Sequence, residues 1–417
     1  MGAQRYIGVA ERRARLALRQ RLAGQARAGT PEEVADALVA LHGTDPATVY
    51  LAVGARLADP AGTVEETERA LYEDRSLVRM HGMRHTVFVF PTGLTAVVHA
   101  STGLAVAARE RSSLLKHMAA AGAPDAAWLK EVEESALAAL ARRGQATAAE
   151  LAQDEPRLRE QFVYAAGKSY EGTHTVSTRL LRVLGIEGKV VRGRPLGSWT
   201  SSRFRWAVAP EHAELDTAGA QAELLRRWLT ACGPATEADL KWWTGWRVTE
   251  VRRALAAIGA EPVSLDEGTG YVAAGDAGPV PSPDEPWAAL LPALDPTAMG
   301  WQQRDWYLAP GLRPRLFDGS GNVGPTVWWN GRVIGGWARR PDGEIAWRIL
   351  DEEGIGRQAR AAIGSEAERL AGWLGTTTIT PRFRTPLEKE LAAGRGRGAP
   401  TEAPPGPSLP RPSFPGP

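Results

Sequence analysis

The sequence predicts an α+β fold in which a helix–turn–helix–hairpin unit occurs in tandem and a β-rich subdomain follows. Three observations predict it. Helix-start signals of the form Thr-x-x-Glu or Thr-x-x-Asp stand at Thr30, Thr63, Thr147 and Thr236, where side chain and backbone can cap each other. Three β-type runs follow the helical stretches: LVRMHGMRHTVFVFP, KVVRGRPLGSWTSSRFRWAV and EPVSLDEGTGYVAA. From about Glu285 short apolar runs take over, LLPALD, PTVWW, RVIGGWA and EIAWRIL, and Asn330-Gly331 is a type I′ hairpin signal.

Taken in order, Glu11 to Leu22 has the pattern of a basic amphipathic helix. Thr30-Pro31-Glu32-Glu33 opens a second helix, with proline at the first helical position, running to about Leu41. His42-Gly43-Thr44-Asp45-Pro46 stops it, because Pro46 has no amide hydrogen and Gly43 favours a turn. A helix over Pro46–Leu57, capped by Thr44 or Asp45, and one from Thr63 lead into the first hairpin. Helices followed by a short hairpin is the winged-helix plan, and it recurs. In the second copy THTVSTRLLRVLG is the candidate recognition helix and residues 189–208 form a hairpin with a long basic tip. The third copy runs from GPATEADLKWWTGW through a turn at Gly245 and a helix from Thr249 to a strand pair around Asp266–Gly270. A closing helix is expected over Gly364–Leu374. The predicted organisation is three winged units over 1–125, 126–215 and 216–284, a β-rich subdomain over 285–390, and a Pro-rich disordered tail over 391–417.

Composition narrows the function classes. A chain of 417 residues with 43% hydrophobic and 24% charged residues is globular. The formal net charge is only +2, so the distribution of charge carries more information than its sum. One cysteine, Cys232, rules out an internal disulfide framework and fits a reducing compartment. From His85 to Ala108 there is no Lys, Arg, Asp or Glu. Pro91 and Gly93 interrupt that stretch, which predicts a buried strand and then a buried helix, not a membrane span. The N-terminus has no secretory h-region. The expectation is a soluble, cytoplasmic, nucleoid-associated protein with no membrane partner.

The clearest electrostatic feature is the set Arg179, Arg182, Lys189, Arg192, Arg194, Arg203 and Arg205, with Glu187 the lone acid among them. Its physical reading is phosphate contact with double-stranded DNA, the expected partner; its bland reading is a solvated basic face in an Arg-rich chain. A weaker basic set, Arg247, Arg252 and Arg253, lies in the third unit. Trp242, Trp243, Trp246, Trp328, Trp329 and Trp337 have core spacing, which outweighs base stacking. No metal and no cofactor is expected: the seven histidines are scattered, and there is no zinc, EF-hand or phosphate-loop motif. The remaining candidate catalytic group is His42, Thr44 and Asp45. His42 would order or deprotonate a water, Thr44 would hold it, and Asp45 would stabilise a developing cationic sugar. The competing reading is that Thr44 and Asp45 simply cap the next helix.

The pieces LALRQRLAG, TPEEVADALVALHGTDPATVYLAVGARL, LVRMHGMRHTVFVFP, GPATEADLKWWTGW, LLPALDPTAMGW and GPTVWWNGRVIGGW resemble the winged-helix DNA-binding family that includes the AlkZ and YcaQ DNA glycosylases. The resemblance spans roughly residues 11 to 340. It implies tandem winged helices forming a concave basic surface around duplex DNA, and hydrolysis of the N-glycosidic bond of alkylated purines. It departs at one place. A Gln-x-Gln or Gln-x-Asp motif places the attacking water in those enzymes, and the matching positions here are His42 and Thr44, followed by Asp45. No lysine neighbours His42, so any glycosylase activity is expected to be monofunctional. Three readings stay open: a repair glycosylase for alkylated purines, a non-catalytic or regulatory DNA-binding protein, and a module whose winged helices bind proteins.

Overall fold

The computed structural model describes residues 4–168 and 171–394; of the tail expected over 391–417, Leu391 and Ala392 instead close a helix, and residues from 395 onward lie outside the described residues. The fold is mixed α and β. Its first part comprises α1 (Val9–Arg19), α2 (Pro31–Leu38), β1 (Leu41–His42), α3 (Pro46–Gly54), α4 (Thr63–Tyr72), β2 (Leu77–His81) and β3 (Val87–Pro91). At the start of α2 the Thr30 hydroxyl accepts the Glu33 N–H, and the Glu33 carboxylate reaches back to the Gly29 N–H. The capping box expected at Thr63 does not form. Thr63 lies inside the helix, and its hydroxyl donates to the Pro60 carbonyl at 2.7 Å, so the Asp59–Gly62 turn hands the chain over. After β3 a short α5 (Thr95–Val98), a π-helical turn over His99–Gly103 and α6 (Leu104–Ala120) follow one another. The charge-free stretch is therefore a strand and then a helix. No helix among the described residues is long and apolar enough to cross a membrane.

The second part holds α7 (Ala126–Arg143), β4 (Gln145–Ala146), α8 (Ala148–Asp154), a hairpin of β5 (Gln161–Tyr164) and β6 (Gly172–Thr175), α9 (Val176–Ile186), β7 (Val190–Pro195) and β8 (Phe204–Val208). The third holds α10 (Thr217–Cys232), β9 (Ala235–Thr236), α11 (Glu237–Thr244), α12 (Val248–Ala257), β10 (Glu261–Leu265) and β11 (Gly268–Val272). Reciprocal capping boxes form at Thr147–Glu150 and Thr236–Asp239. Gly245 closes α11 at φ +74°, where a side chain would be strained. Each part repeats one local plan: a two-residue strand precedes helices and pairs antiparallel with the second strand of the hairpin that follows, giving the orders β1-β3-β2, β4-β8-β7 and β9-β11-β10.

The last part is a meander of β12 (Ala288–Leu291), β13 (Thr326–Trp329), β14 (Arg332–Arg339) and β15 (Ile345–Ile349). With it pack α13 (Arg313–Leu316), α14 (Arg357–Leu374) and α15 (Pro386–Ala392). Asn330 and Gly331 take the two positive φ values that a type I′ turn requires, +45° and +80°.

The apolar core joins these parts unequally. One cluster runs from Leu16 and Phe90 through Trp228, Trp243 and Trp301 to Trp328 and Leu391, uniting the first, third and last parts. Trp243, Trp246, Trp328 and Trp337 are buried, and Trp242 and Trp329 half-buried, as packing spacing predicts. The second part has a core of its own around Leu140, Leu180, Leu184 and Trp206. It is fastened by Trp199, in the β7–β8 connection, which is buried against Tyr50 of α3 and Trp373 of α14 at ring distances of 4.9 and 6.3 Å.

A buried ion pair fixes the end of α3. Arg56 and Asp295 are both 0% exposed and meet in a bidentate pair at 2.7 and 2.9 Å. Arg56 also donates to Thr297 Oγ1 and to the carbonyls of Gln20 and Ala52, so all five guanidinium hydrogens are used. Replacing Asp295 by Ala leaves that charge buried and uncompensated, an expected cost of about 3–5 kcal/mol. Denaturant unfolding should show it as a lower midpoint at unchanged slope.

Candidate active site and nucleic-acid interface

The turn after β1 is built around a close approach. Gly43 donates its N–H to the Val87 carbonyl at 2.8 Å. A Cβ there would lie 3.3 Å from the Val87 oxygen and the Phe88 carbonyl carbon, so a larger residue would have to push the turn and β3 apart by a few tenths of an ångström. Arg79, on β2 and 5% exposed, donates to the Gly43 carbonyl. The turn is thus held from both sides.

The three candidate catalytic residues fare differently. His42 packs edge-on to Phe88 at 5.3 Å. Its Nδ1 accepts the Thr44 N–H at 3.4 Å, which puts the ring proton on Nε2. Burial, reinforced by Arg84 and Arg79, pushes its pKa down to about 3, so the imidazole is neutral at physiological pH and acts through an Nε2–H donor. Thr44 is partly exposed beside it. Asp45 is 6% exposed, and each of its oxygens holds a backbone N–H: Oδ1 that of Ala47, at 3.2 Å, capping α3, and Oδ2 that of Arg382, at 2.9 Å. The capping role weighed from sequence is therefore present. Asp45 also tethers the C-terminal segment to the turn.

Cations surround this turn with little compensation. Arg192 of β7 is pushed down to about 9 by burial and by Arg79, Arg382 and Arg182. The buried Nε atoms of Arg79 and Arg192 have no hydrogen-bond partner. Buried His81 is lowered to about 3 by burial and by Arg192 and Arg182. Among the described residues, Arg79, Arg84, Arg192 and Arg382 have no carboxylate within 4.0 Å. Desolvated like charges of this kind favour an anionic ligand.

The ten basic residues singled out in the sequence separate by environment. Lys189 meets Glu133, and Glu187 at 3.3 Å. Arg194 reaches Glu68 of α4 and Glu73, just after it, at 3.0 and 3.1 Å, tying the second hairpin to the first part. Arg205 pairs with Glu150, Arg252 with Glu237, and Arg182 lies 3.7 Å from Glu110. Arg179 stacks on Tyr164 and touches His174, and Arg253 donates to Gln221. Arg192, Arg203 and Arg247 have no carboxylate partner among the described residues. Only Arg192 and, more loosely, Arg182 join the cluster beside His42. Sequence reasoning passes over Arg79, Arg84 and Arg382. For the first two the available signal is a pair of arginines inside the apolar run LVRMHGMRHTVFVFP.

The family described as DNA glycosylase AlkZ-like matches residues 35–373, and the chain belongs to that family. Among solved structures, the Streptomyces sahachiroi DNA glycosylase AlkZ is similar, with a TM-score of 0.68 at 20% identity. The match covers 88% of this chain and 97% of that one; at such identity it shows a shared fold. Comparison with curated proteins returns no match.

The two depressed histidines carry a pH signature. His42 and His81 stay neutral when folded down to about pH 3, whereas an unfolded histidine protonates near 6.5. Above that pH neither affects stability. Below it the unfolded state binds the extra protons, so stability falls as pH drops from about 6.5 to about 3, by roughly 1.4 kcal/mol per pH unit for each group. His81→Gln should flatten that slope in urea titrations across this window, and an unchanged slope would refute the neutral assignment of His81.

Proposed function

We propose that the chain is a monofunctional DNA glycosylase that hydrolyses the N-glycosidic bond of alkylated purines in duplex DNA, working in the cytoplasm on the nucleoid. The three sheet-and-helix parts are read as winged helices, bounded near 1–125, 126–215 and 216–284, with 285–390 as the β-rich subdomain. The observation that carries this reading is a neutral histidine, His42, lodged in an under-compensated field of arginines. Arg79, Arg182, Arg192 and Arg382 would neutralise backbone phosphates around the lesion. Arg179, Lys189, Arg194, Arg203, Arg205, Arg247, Arg252 and Arg253 would extend that grip, several of them by exchanging an exposed carboxylate partner for a phosphate at little cost.

An N7- or N3-alkylated purine is cationic and leaves without prior protonation, so the protein has to place a water and stabilise positive charge on the sugar. His42 suits the first task as a donor: Nε2–H and the Thr44 hydroxyl would hold the water that captures the sugar cation. A ring with a pKa near 3 is a weak base, so ordering the water is favoured over deprotonating it. Asp45 would contribute negative charge from a position fixed by its two N–H donors.

A second reading, DNA binding without bond cleavage, is favoured by the commitment of both Asp45 oxygens to backbone amides. Incubation with a duplex carrying N7-methylguanine, followed by mass detection of free base, separates the two. The glycosylase reading expects release by the unaltered protein. His42→Ala should slow it by about 10²-fold, the scale of a positioned proton-transfer or water-ordering group, while duplex affinity stays within about twofold. Binding with no release from any alkylated duplex would leave the second reading standing.

A further inference from the structure

A cleft of about 700 Å³, lined in part by Arg84, opens between the tip of the β2–β3 hairpin, α6, and the α11–α12 turn. Four cations line it: Arg84, Arg109, Lys241 and Arg247. None has a carboxylate within 4.0 Å among the described residues. Glu250 is the one acid in the lining, and its carboxylate already accepts the Arg247 N–H at 2.7 Å and the Gln221 side-chain amide at 3.4 Å.

The cleft is also apolar where it is open. Leu104 and Val248, 49% and 36% exposed, are two of the six large apolar side chains left exposed among the described residues, and both lie in its wall. Its floor is the π-helical turn, pinned where the Trp246 indole N–H donates to Thr102 Oγ1 at 3.2 Å. Such one-turn departures from α-helix concentrate at functional sites. The tip is fixed as well. Arg84 and His85 both hold positive φ, +53° and +59°, and Arg84 stacks on Trp242 at 4.1 Å. Two non-glycine residues in that region cost free energy that the docking must offset.

A ligand for this cleft carries several negative charges and also has apolar faces. A single strand meets both demands, presenting phosphates to cations and bases to aliphatic wall. Arg84 acts on His42 and also lines the cleft, so the cleft continues the cationic surface of the proposed site. We propose that it binds single-stranded DNA, receiving a strand that leaves the duplex next to His42. The proposal rests on the DNA-binding reading for its biological setting, but its test separates the two.

The probes are a labelled oligo-dT, a blunt duplex, and the same duplex with a dT overhang on either end of a strand. Fluorescence anisotropy should show oligo-dT binding. Overhang duplex should bind about tenfold tighter than blunt. In Arg109→Ala/Lys241→Ala, both of them exposed positions, oligo-dT affinity should fall about tenfold and the overhang advantage should vanish. Blunt-duplex affinity and the circular-dichroism melt should be preserved. The log–log salt slope for oligo-dT should shrink by roughly 1.4, at about 0.7 for each phosphate that is no longer neutralised. Absence of oligo-dT binding, an overhang advantage that survives in the double variant, or tighter capture of a polyglutamate peptide than of oligo-dT would overturn it. If oligo-dT binds through these two residues but blunt duplex does not, the cleft stands and the duplex reading falls.

Discussion

The position of the candidate site depends on the Arg56–Asp295 pair. Arg56 lies two residues beyond the helix that starts at Pro46, immediately after the His42–Asp45 turn, and Asp295 belongs to the loop that leaves β12. With every guanidinium hydrogen used and both side chains shut off from water, the pair tolerates little displacement. A partner moved by an ångström would strand a desolvated charge. Asp45 adds a second tie through the Arg382 N–H. The turn is therefore clamped between the first and last parts of the chain although it is short and irregular.

Around that rigid point the molecule keeps an unfavourable charge distribution. Arg79 and Arg192 act on each other as like charges, and each has a buried N–H with no partner. Removing such groups would relieve repulsion, so their presence opposes stability in the free protein. Burial, reinforced by the same field, keeps His42 and His81 neutral. A phosphate entering it would compensate the arginines and lift part of that penalty, so electrostatic strain in the free state becomes affinity in the bound one.

Much of the fold is legible locally. Reciprocal capping at Thr147 and Thr236, the left-handed Gly245 and the Asn330-Gly331 turn all follow from short-range chemistry. Thr63 misleads because its hydroxyl turns back to donate to the Pro60 carbonyl, so the residue falls inside the helix instead of capping it, and the β5–β6 hairpin carries no strong turn signal. The site is less legible, for a physical reason. Lys189, Arg194 and Arg205 look unpaired beside Glu187 in the linear sequence, yet Glu133, Glu68, Glu73 and Glu150 reach them from other elements. Charge compensation is a long-range property. Arg79 and Arg84 are hidden in the opposite way, inside an apolar run that reads as core.

The private core of the second part has a mechanical meaning. The first, third and last parts share apolar interior, while the second meets them through α6 packed on α9, the β2–β7 seam, a few ion pairs and the indole of Trp199. That indole behaves as a latch bolt. The same hairpin carries Arg192 on β7 and Trp199 in the β7–β8 connection, so the seat of the indole against Tyr50 and Trp373 also sets where Arg192 stands beside Arg79.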